Sequence, residues 1–317
     1  MTLTNQELIS RGYPPRPADP KKYNSWLRAV SSPTERVAPH RTPHAQISQF
    51  GTSTGSSSIW AGAYVTDPGG APPARPAVGA AFWSVSAQWS VPSIPESNGI
   101  YNAAAVWVGL DNGGNDLWQS GSDSESFTID LFGYTYSWQD QYAWIEALPS
   151  PPYVLPNVPA SAGDELYVDI FIADQYGNTT FSGNGLASSN TTMWYMVYNF
   201  TQGKSTWDTY TVNSNGSTFS GSSADFIIER PTYQNSVSDL GDFGVTTMED
   251  CWFYDSLFQY DGWNITYGGS PGVFIGQLNI LNMINNSNSD SLAQTFIFPV
   301  SNATHESGIL WIWINWY

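Results

Sequence analysis

From Ile59 onward, short runs rich in Val, Ile, Thr, Tyr, Phe and Trp alternate with polar residues and stop at Gly, Asn, Pro or Ser. Alternation with a period of two places one set of side chains on each face of a strand. The pattern predicts strands at Ile59–Val65, Phe82–Val91, Ala103–Leu110, Leu117–Gly121, Tyr134–Ala147, Glu165–Ala173, Met193–Phe200, Asp225–Arg230, Val273–Leu281, Thr295–Val300 and Gly308–Trp316. Helical periodicity is almost absent, apart from one short helix expected around Tyr23–Val30. More than ten short strands without a fixed repeat predict an all-β fold. The expected architecture is a two-layer β-sandwich of large antiparallel sheets, of concanavalin A-like or jelly-roll type.

The first 50 residues differ from the rest. They hold seven basic side chains (Arg11, Arg16, Lys21, Lys22, Arg28, Arg36, Arg41) and three acids, a balance of +4. Residues 51–317 hold three bases and 24 acids, a balance of −21. The segment GTSTGSSS at 51–58 reads as a flexible linker, and DPGGAPPARP at 67–76 as an irregular loop. The chain therefore divides into a basic N-terminal segment, 1–50, and a β-domain, 51–317. A body this acidic repels itself at neutral pH and loses that repulsion as its carboxylates take protons, so it suits acid conditions. It also repels phosphates, so nucleic acid is not an expected partner.

Cys251 is the only cysteine, which excludes an internal disulfide and a cysteine metal cluster. Three histidines, His40, His44 and His305, make no convincing metal site, so neither metal nor cofactor is expected. No apolar run is long enough to span a membrane. The first 20 residues lack the apolar core of an export signal.

Serine is abundant, but no Gly-x-Ser-x-Gly turn is present, and only His305 is available as a base in the β-domain. Carboxylate chemistry is better supplied. A carboxylate pair can cleave a glycoside or, sharing a proton, a peptide. The Asp-Thr-Gly and Asp-Ser-Gly tripeptides are absent, and composition does not choose a pair among 24 acids.

Five segments in order decide the matter. Ser58-Ile59-Trp60-Ala61-Gly62-Ala63 resembles the Asn-Trp-Ala-Gly opening of the mature glutamic peptidases, or eqolisins. Val106-Trp107-Val108-Gly109-Leu110-Asp111 resembles their Trp-Ile/Val-Gly-Ile-Asp. Leu117-Trp118-Gln119-Ser120-Gly121 is similar to their Leu-Gln-Thr-Gly, with Trp118 where Leu precedes the glutamine. Tyr142-Ala143-Trp144-Ile145-Glu146-Ala147-Leu148-Pro149 is similar to Asp-Ala-Trp-Tyr-Glu-Trp-Tyr-Pro. Ala224-Asp225-Phe226-Ile227-Ile228-Glu229 lines up with Ala-Glu-Trp-Ile-Val-Glu. A weaker match, Leu240-Gly241-Asp242-Phe243-Gly244, extends the resemblance.

The resemblance implies an acid-acting endopeptidase with Gln119 and Glu229 as its catalytic pair. It makes Trp60, Trp107, Asp111, Trp144 and Glu146 substrate-binding or supporting residues. Taken singly, the tryptophans would read as core aromatics, and Asp111 and Glu146 as loop or edge charges. The transferred roles fit the chemistry. Peptide hydrolysis needs a base for water, a donor for the oxyanion and an acid for the leaving amine. Glu229 can supply the first and third, and the Gln119 amide the second without like-charge repulsion. Asp225, Ile227 and Glu229 alternate along one strand and share a face. The pattern departs from the family at Tyr142, which stands where Asp is usual, and at Ala147 and Leu148, which replace an aromatic pair. The basic segment resembles prosegments of bacterial or archaeal members, expected to dock on an acidic groove at neutral pH. The expected partners are polypeptide substrates and this prosegment, the expected state a monomer, and the expected location extracellular. The competing class is a glycan-binding or glycan-cleaving sandwich, distinguished by whether Glu229 faces an amide or a second acid.

Overall fold

The computed structural model describes residues 3–11, 13–17, 22–23, 26–27, 30, 35–36, 42–43, 56–66, 81–95, 101–111, 116–183, 185–214, 216–233, 236–256, 263–264, 277–285, 290–298 and 308–314. Fourteen longer strands carry the fold. They are β1 (Trp60–Thr66), β2 (Phe82–Ser90), β3 (Tyr101–Leu110), β4 (Trp118–Leu131), β5 (Tyr134–Ala147), β6 (Tyr153–Pro159) and β7 (Glu165–Ala173). After these come β8 (Thr192–Asn199), β9 (Lys204–Thr211), β10 (Ser223–Glu229), β11 (Val245–Asp255), β12 (Gln277–Ile284), β13 (Ser291–Phe298) and β14 (Gly308–Trp313).

They form two antiparallel layers. The first runs β12–β1–β10–β3–β4–β5–β6. The second runs β9–β8–β7–β2–β11–β14–β13. Strand β12 joins them, pairing with β1 through Gln277–Leu281 and with β13 at Met283 and Ile284. The expected sandwich of large antiparallel sheets is thus the observed fold.

Alternation sorts the first sheet's side chains. Ala104, Val106, Val108 and Leu110 of β3 point into the core between the layers, with Ala143 and Ile145 of β5 and Phe226 and Ile228 of β10. The second sheet answers with Val85, Trp89, Val168, Ile170, Tyr195 and Val197. The layers are also tied by polar contacts: Trp89 Nε1 donates to Ser122 Oγ at 2.9 Å, and the Tyr195 hydroxyl to the Glu146 carbonyl at 2.7 Å. The first sheet's outer face carries a separate cluster: Trp60, Ala105, Trp107, Tyr142, Trp144, Ile227 and Leu281. A smooth two-layer protein has one core; this one buries aromatics on a second face as well.

Strand positions largely follow the expectations, with informative exceptions. The strand expected at Leu117–Gly121 continues to Leu131. Strands β6, β9 and β11 were not predicted; β6 contains Pro156 and ends at Pro159, which masks it as a loop. Ser56 and Ser57, read as linker, pair in parallel with Asn282 and Met283 of β12. The loop expected at 67–76, His40, His44 and His305 lie outside the described residues.

The N-terminal segment departs most. A helix, α1 (Asn5–Ser10), starts at a capping box in which Thr4 and Glu7 bond each other's backbone N–H groups. In the predicted helix around Tyr23–Val30 the described positions Tyr23, Trp26, Leu27 and Val30 are helical. Lys22 is buried: its Nζ lies 2.5 Å from Asp169 Oδ1 and 2.6 Å from Ser84 Oγ, and sits over the Tyr254 ring. Asp169 and Ser84 alternate with the core-facing Ile170 and Val85, so they lie on the outer face of the second sheet. The expectation that this segment's charges meet the groove acids is corrected for Lys22, which docks on the opposite layer. Among the described residues of this segment, Thr42 and Pro43 reach the first sheet, pairing with β6 at its edge.

Candidate active site

The outer face of the first sheet is ordered in cross-strand rows. One row reads Trp60, Glu229, Ala105, Asp123, Tyr142. The next row on this face reads Gly62, Ile227, Trp107, Gly121, Trp144. The third reads Tyr64, Asp225, Gly109, Gln119, Glu146. Polar residues therefore flank a middle row of aromatics. Gly121 makes that row possible, because a Cβ there would lie 2.6 Å from the Trp107 Cβ.

Glu229 is 1% exposed at the end of β10. Its Oε2 accepts Trp107 Nε1–H at 2.8 Å, while Oε1 has no hydrogen-bond partner. Trp60 packs edge-on against Trp107, with ring centroids 5.2 Å apart. Burial holds the Glu229 pKa well above the usual carboxylate value; the nearby indole N–H groups of Trp60 and Trp107 oppose this, and the charge of Glu146 adds to it. Gln119 is 2% exposed, and its Nε2 donates to Glu146 Oε2, directly opposite on β5. Gln119 Oε1 and Glu146 Oε1 are buried and unpartnered. Burial pushes Glu146 up to about 8, against the pull of the Gln119 bond. Glu146 is thus neutral throughout the acid range.

No hydrogen bond joins Gln119 to Glu229; Trp107 stands on the strand between theirs, in the row between theirs. The two expected catalytic groups and Trp60, Trp107, Trp144 and Glu146 share one buried face. Asp111 does not. At the end of β3, its carboxylate accepts from the backbone N–H and hydroxyl groups of Ser220 and Ser222, holding the loop before β10.

Residue-type reasoning missed Asp123. It lies across Ala105 from Glu229, is 2% exposed, and has an unpartnered Oδ1. Its pKa is raised by burial first, then by Glu125, with Glu229 adding to it and the Tyr142 bond opposing. The Tyr142 hydroxyl donates to Glu125 Oε1 at 2.6 Å and lies 3.2 Å from Asp123 Oδ2. The signal was available: Asp123 is four residues from Gln119 on one strand, hence on its face. Glu229 therefore shares its row with an acid, Asp123, two strands away, while the Gln119 amide is turned to Glu146. Among the described residues no group of three or more His, Cys, Asp or Glu is placed to hold a metal.

On this β-sandwich, a buried glutamine and buried glutamates share one outer face with tryptophans. Residues 58–262 match the model of the peptidase A4 family, and the chain belongs to that family. It is a glutamic endopeptidase, as the five ordered segments imply. Among solved structures, the chain is similar to scytalido-glutamic peptidase bound to a transition-state analogue inhibitor. The identity is 18%, the TM-score 0.55, and 81% of this chain and 98% of that one are covered. It is likewise similar to SCP-B, an eqolisin in complex with the tripeptide Ala-Ile-His, at 18% identity and TM-score 0.53, with the same coverage of 81% and 98%. A comparison with curated protein sequences returns no match. Among the described residues, no helix is long and apolar enough to cross a membrane.

Proposed function

We propose that Glu229 and Gln119 carry out acid peptide hydrolysis. What supports this is one observation: a buried Glu229 carboxylate, anchored through Oε2 and without a hydrogen-bond partner at Oε1, on the same face as a buried Gln119 amide. Glu229 Oε1 takes a proton from water as the water attacks the scissile carbonyl. Gln119 spends one N–H on Glu146 and keeps its second for the developing oxyanion. Glu229 then returns the proton to the leaving amine. Burial raises the Glu229 pKa, which favours the protonated form that returns the proton to the leaving amine. Glu146, neutral below about 8, keeps its negative charge away from the oxyanion.

The acid limb of activity belongs to the ionisation of Glu229. The opposite limb belongs to Glu146 and Asp123, whose ionisation as pH rises brings further negative charge onto the face that carries Glu229. Activity in acid is expected to resist pepstatin, chelators and serine reagents, because Glu229 and Gln119 carry the hydrolysis themselves. We also read residues 1–50 as a prosegment of a secreted proenzyme, with the Lys22–Asp169 pair as one point of its attachment. The test is cleavage of a denatured protein at acid pH by folded Glu229→Gln and Gln119→Ala. Each is expected to lose about a hundredfold or more in kcat; near-normal turnover in either refutes the assignment.

A further inference from the structure

Strands β4 and β5 form a long antiparallel ribbon, paired without a break from Trp118–Ala147 to Leu131–Tyr134. Its base carries Gln119, Glu146, Gly121, Trp144, Asp123 and Tyr142. Beyond Tyr142 it continues for eight residues of β5, roughly 26 Å at the usual strand rise.

The outer part of the ribbon is inverted in polarity. An ordinary two-faced sheet turns apolar residues inward and polar ones to water. Here the face continuous with the core side carries Ser126, Thr128, Ser137 and Gln139; Ser126 and Thr128 are buried. The face continuous with the active site carries Phe127, Trp138, Tyr136 and Tyr134. Tyr134, Tyr136 and Trp138 are 69%, 54% and 52% exposed. Phe127 and Trp138, directly opposed, stack with centroids 4.2 Å apart and planes 27° from parallel, which fixes the ladder's base. At the tip the two-residue turn Phe132-Gly133 has both residues at positive φ, 54° and 83°. That turn favours Asn or Asp followed by Gly. A bulky residue there is strained, and this Phe is 99% exposed. An exposed, strained aromatic at the end of an aromatic ladder gains nothing for folding.

We propose that this ribbon face is an exosite for the polypeptide substrate: it holds an unfolded segment beyond the cleaved bond by its apolar and aromatic side chains. The reading rests on the placement of the active site given above, since its argument is continuity: the ladder and the site occupy the same face of the same two strands. Flat, rigid aromatics bind varied extended chains at low entropic cost. A membrane surface fits worse. Residues 118–147 contain no Lys or Arg, and Glu125 and Asp140 lie on the same face near the ladder's base.

The experiment compares a hexapeptide, which spans about 20 Å and so stays within the site, with a long denatured protein. Trp138→Ser combined with Tyr136→Ser is expected to raise KM for the protein about tenfold, as loss of central aromatic anchors does, and to leave kcat/KM for the hexapeptide unchanged. Phe132→Asn supplies the turn's preferred Asn-Gly pair. It is expected to keep or raise Tm while weakening the long substrate about threefold. Binding of the same denatured protein to full-chain Glu229→Gln, followed by calorimetry with and without the ribbon substitutions, gives a readout free of catalysis. Weaker binding there, with no hydrolysis by wild type, sinks the catalytic assignment and leaves the exosite standing. Equal losses on both substrates, no loss on either, or a change of oligomeric state with unchanged kinetics overturns the exosite.

Discussion

Replacing Glu146 by glutamine tests the electrostatics of the site most directly. The substitution keeps shape and hydrogen-bonding capacity toward Gln119 and removes only the ability to ionise. Glu146 is fully buried, and its pKa lies at about 8 against an ordinary 4.5. The folded state therefore binds its proton more tightly than the unfolded chain does. Its contribution is favourable and complete below the ordinary value, and stability falls as pH rises toward 8, then levels. Each unit is worth about 1.4 kcal/mol, so ionisation works against the fold by roughly 3 kcal/mol at pH 7 and by almost nothing at pH 4. Glu146→Gln has no such slope. Urea denaturation of wild type and variant, both in a Glu229→Gln background that prevents self-digestion, measures the difference at the two pH values. The variant is expected to gain about 3 kcal/mol on wild type between pH 4 and pH 7. An equal difference at both values refutes the claim that burial dominates at Glu146.

Three further outcomes follow from individual contacts. Trp107→Phe removes the N–H that lowers the Glu229 pKa, so the acid limb of the pH–rate profile is expected to move to higher pH and kcat to fall about tenfold. Tyr142→Phe leaves Glu125 and Asp123 without the hydroxyl between them; urea denaturation at pH 7 is expected to show about 1–3 kcal/mol lost. Lys22→Met strands a buried Asp169, and loss of one partner of a buried pair typically costs about 3–5 kcal/mol. Protease removal of the N-terminal segment at pH 7 is expected to speed up accordingly, and Asp169→Asn in the same chain to slow it again.

Alternation alone placed most of the sheet residues, because each outer face here is either buried or chemically distinct. Tyr134–Ala147 and Glu165–Ala173 match the observed strands end to end. Strand β4 was cut short because SGSDSES offers no apolar alternation; its inward face is a row of serines whose partners are other elements, as when Ser122 meets Trp89 and Ser124 the Pro92 carbonyl. Such a face is invisible to hydrophobic patterning and depends on contacts from distant sequence. The Lys22–Asp169 pair is equally illegible, since the partners are separated by 147 residues.

The site was legible where chemistry and spacing coincide, and silent where the sheet supplies the neighbour. Gln119, Glu229, Trp107 and Glu146 all emerged from ordered motifs; that Glu146 partners Gln119 and Trp107 partners Glu229 came from strand register. Tyr142 shows what register adds. As a departure from the expected Asp it says only that something differs. Placed in its row, it is a neutral hydroxyl at a corner that already holds Asp123 and Glu125, where an ionised third carboxylate would have met two others. Trp118 makes the complementary case. It too departs from the expected Leu, but it faces the core, fully buried, with its Nε1 on the Thr218 carbonyl at 2.8 Å, one residue before Gln119. One substitution changes the charge of the site and the other anchors the strand that presents the amide. Only the alternation of faces separates the two effects.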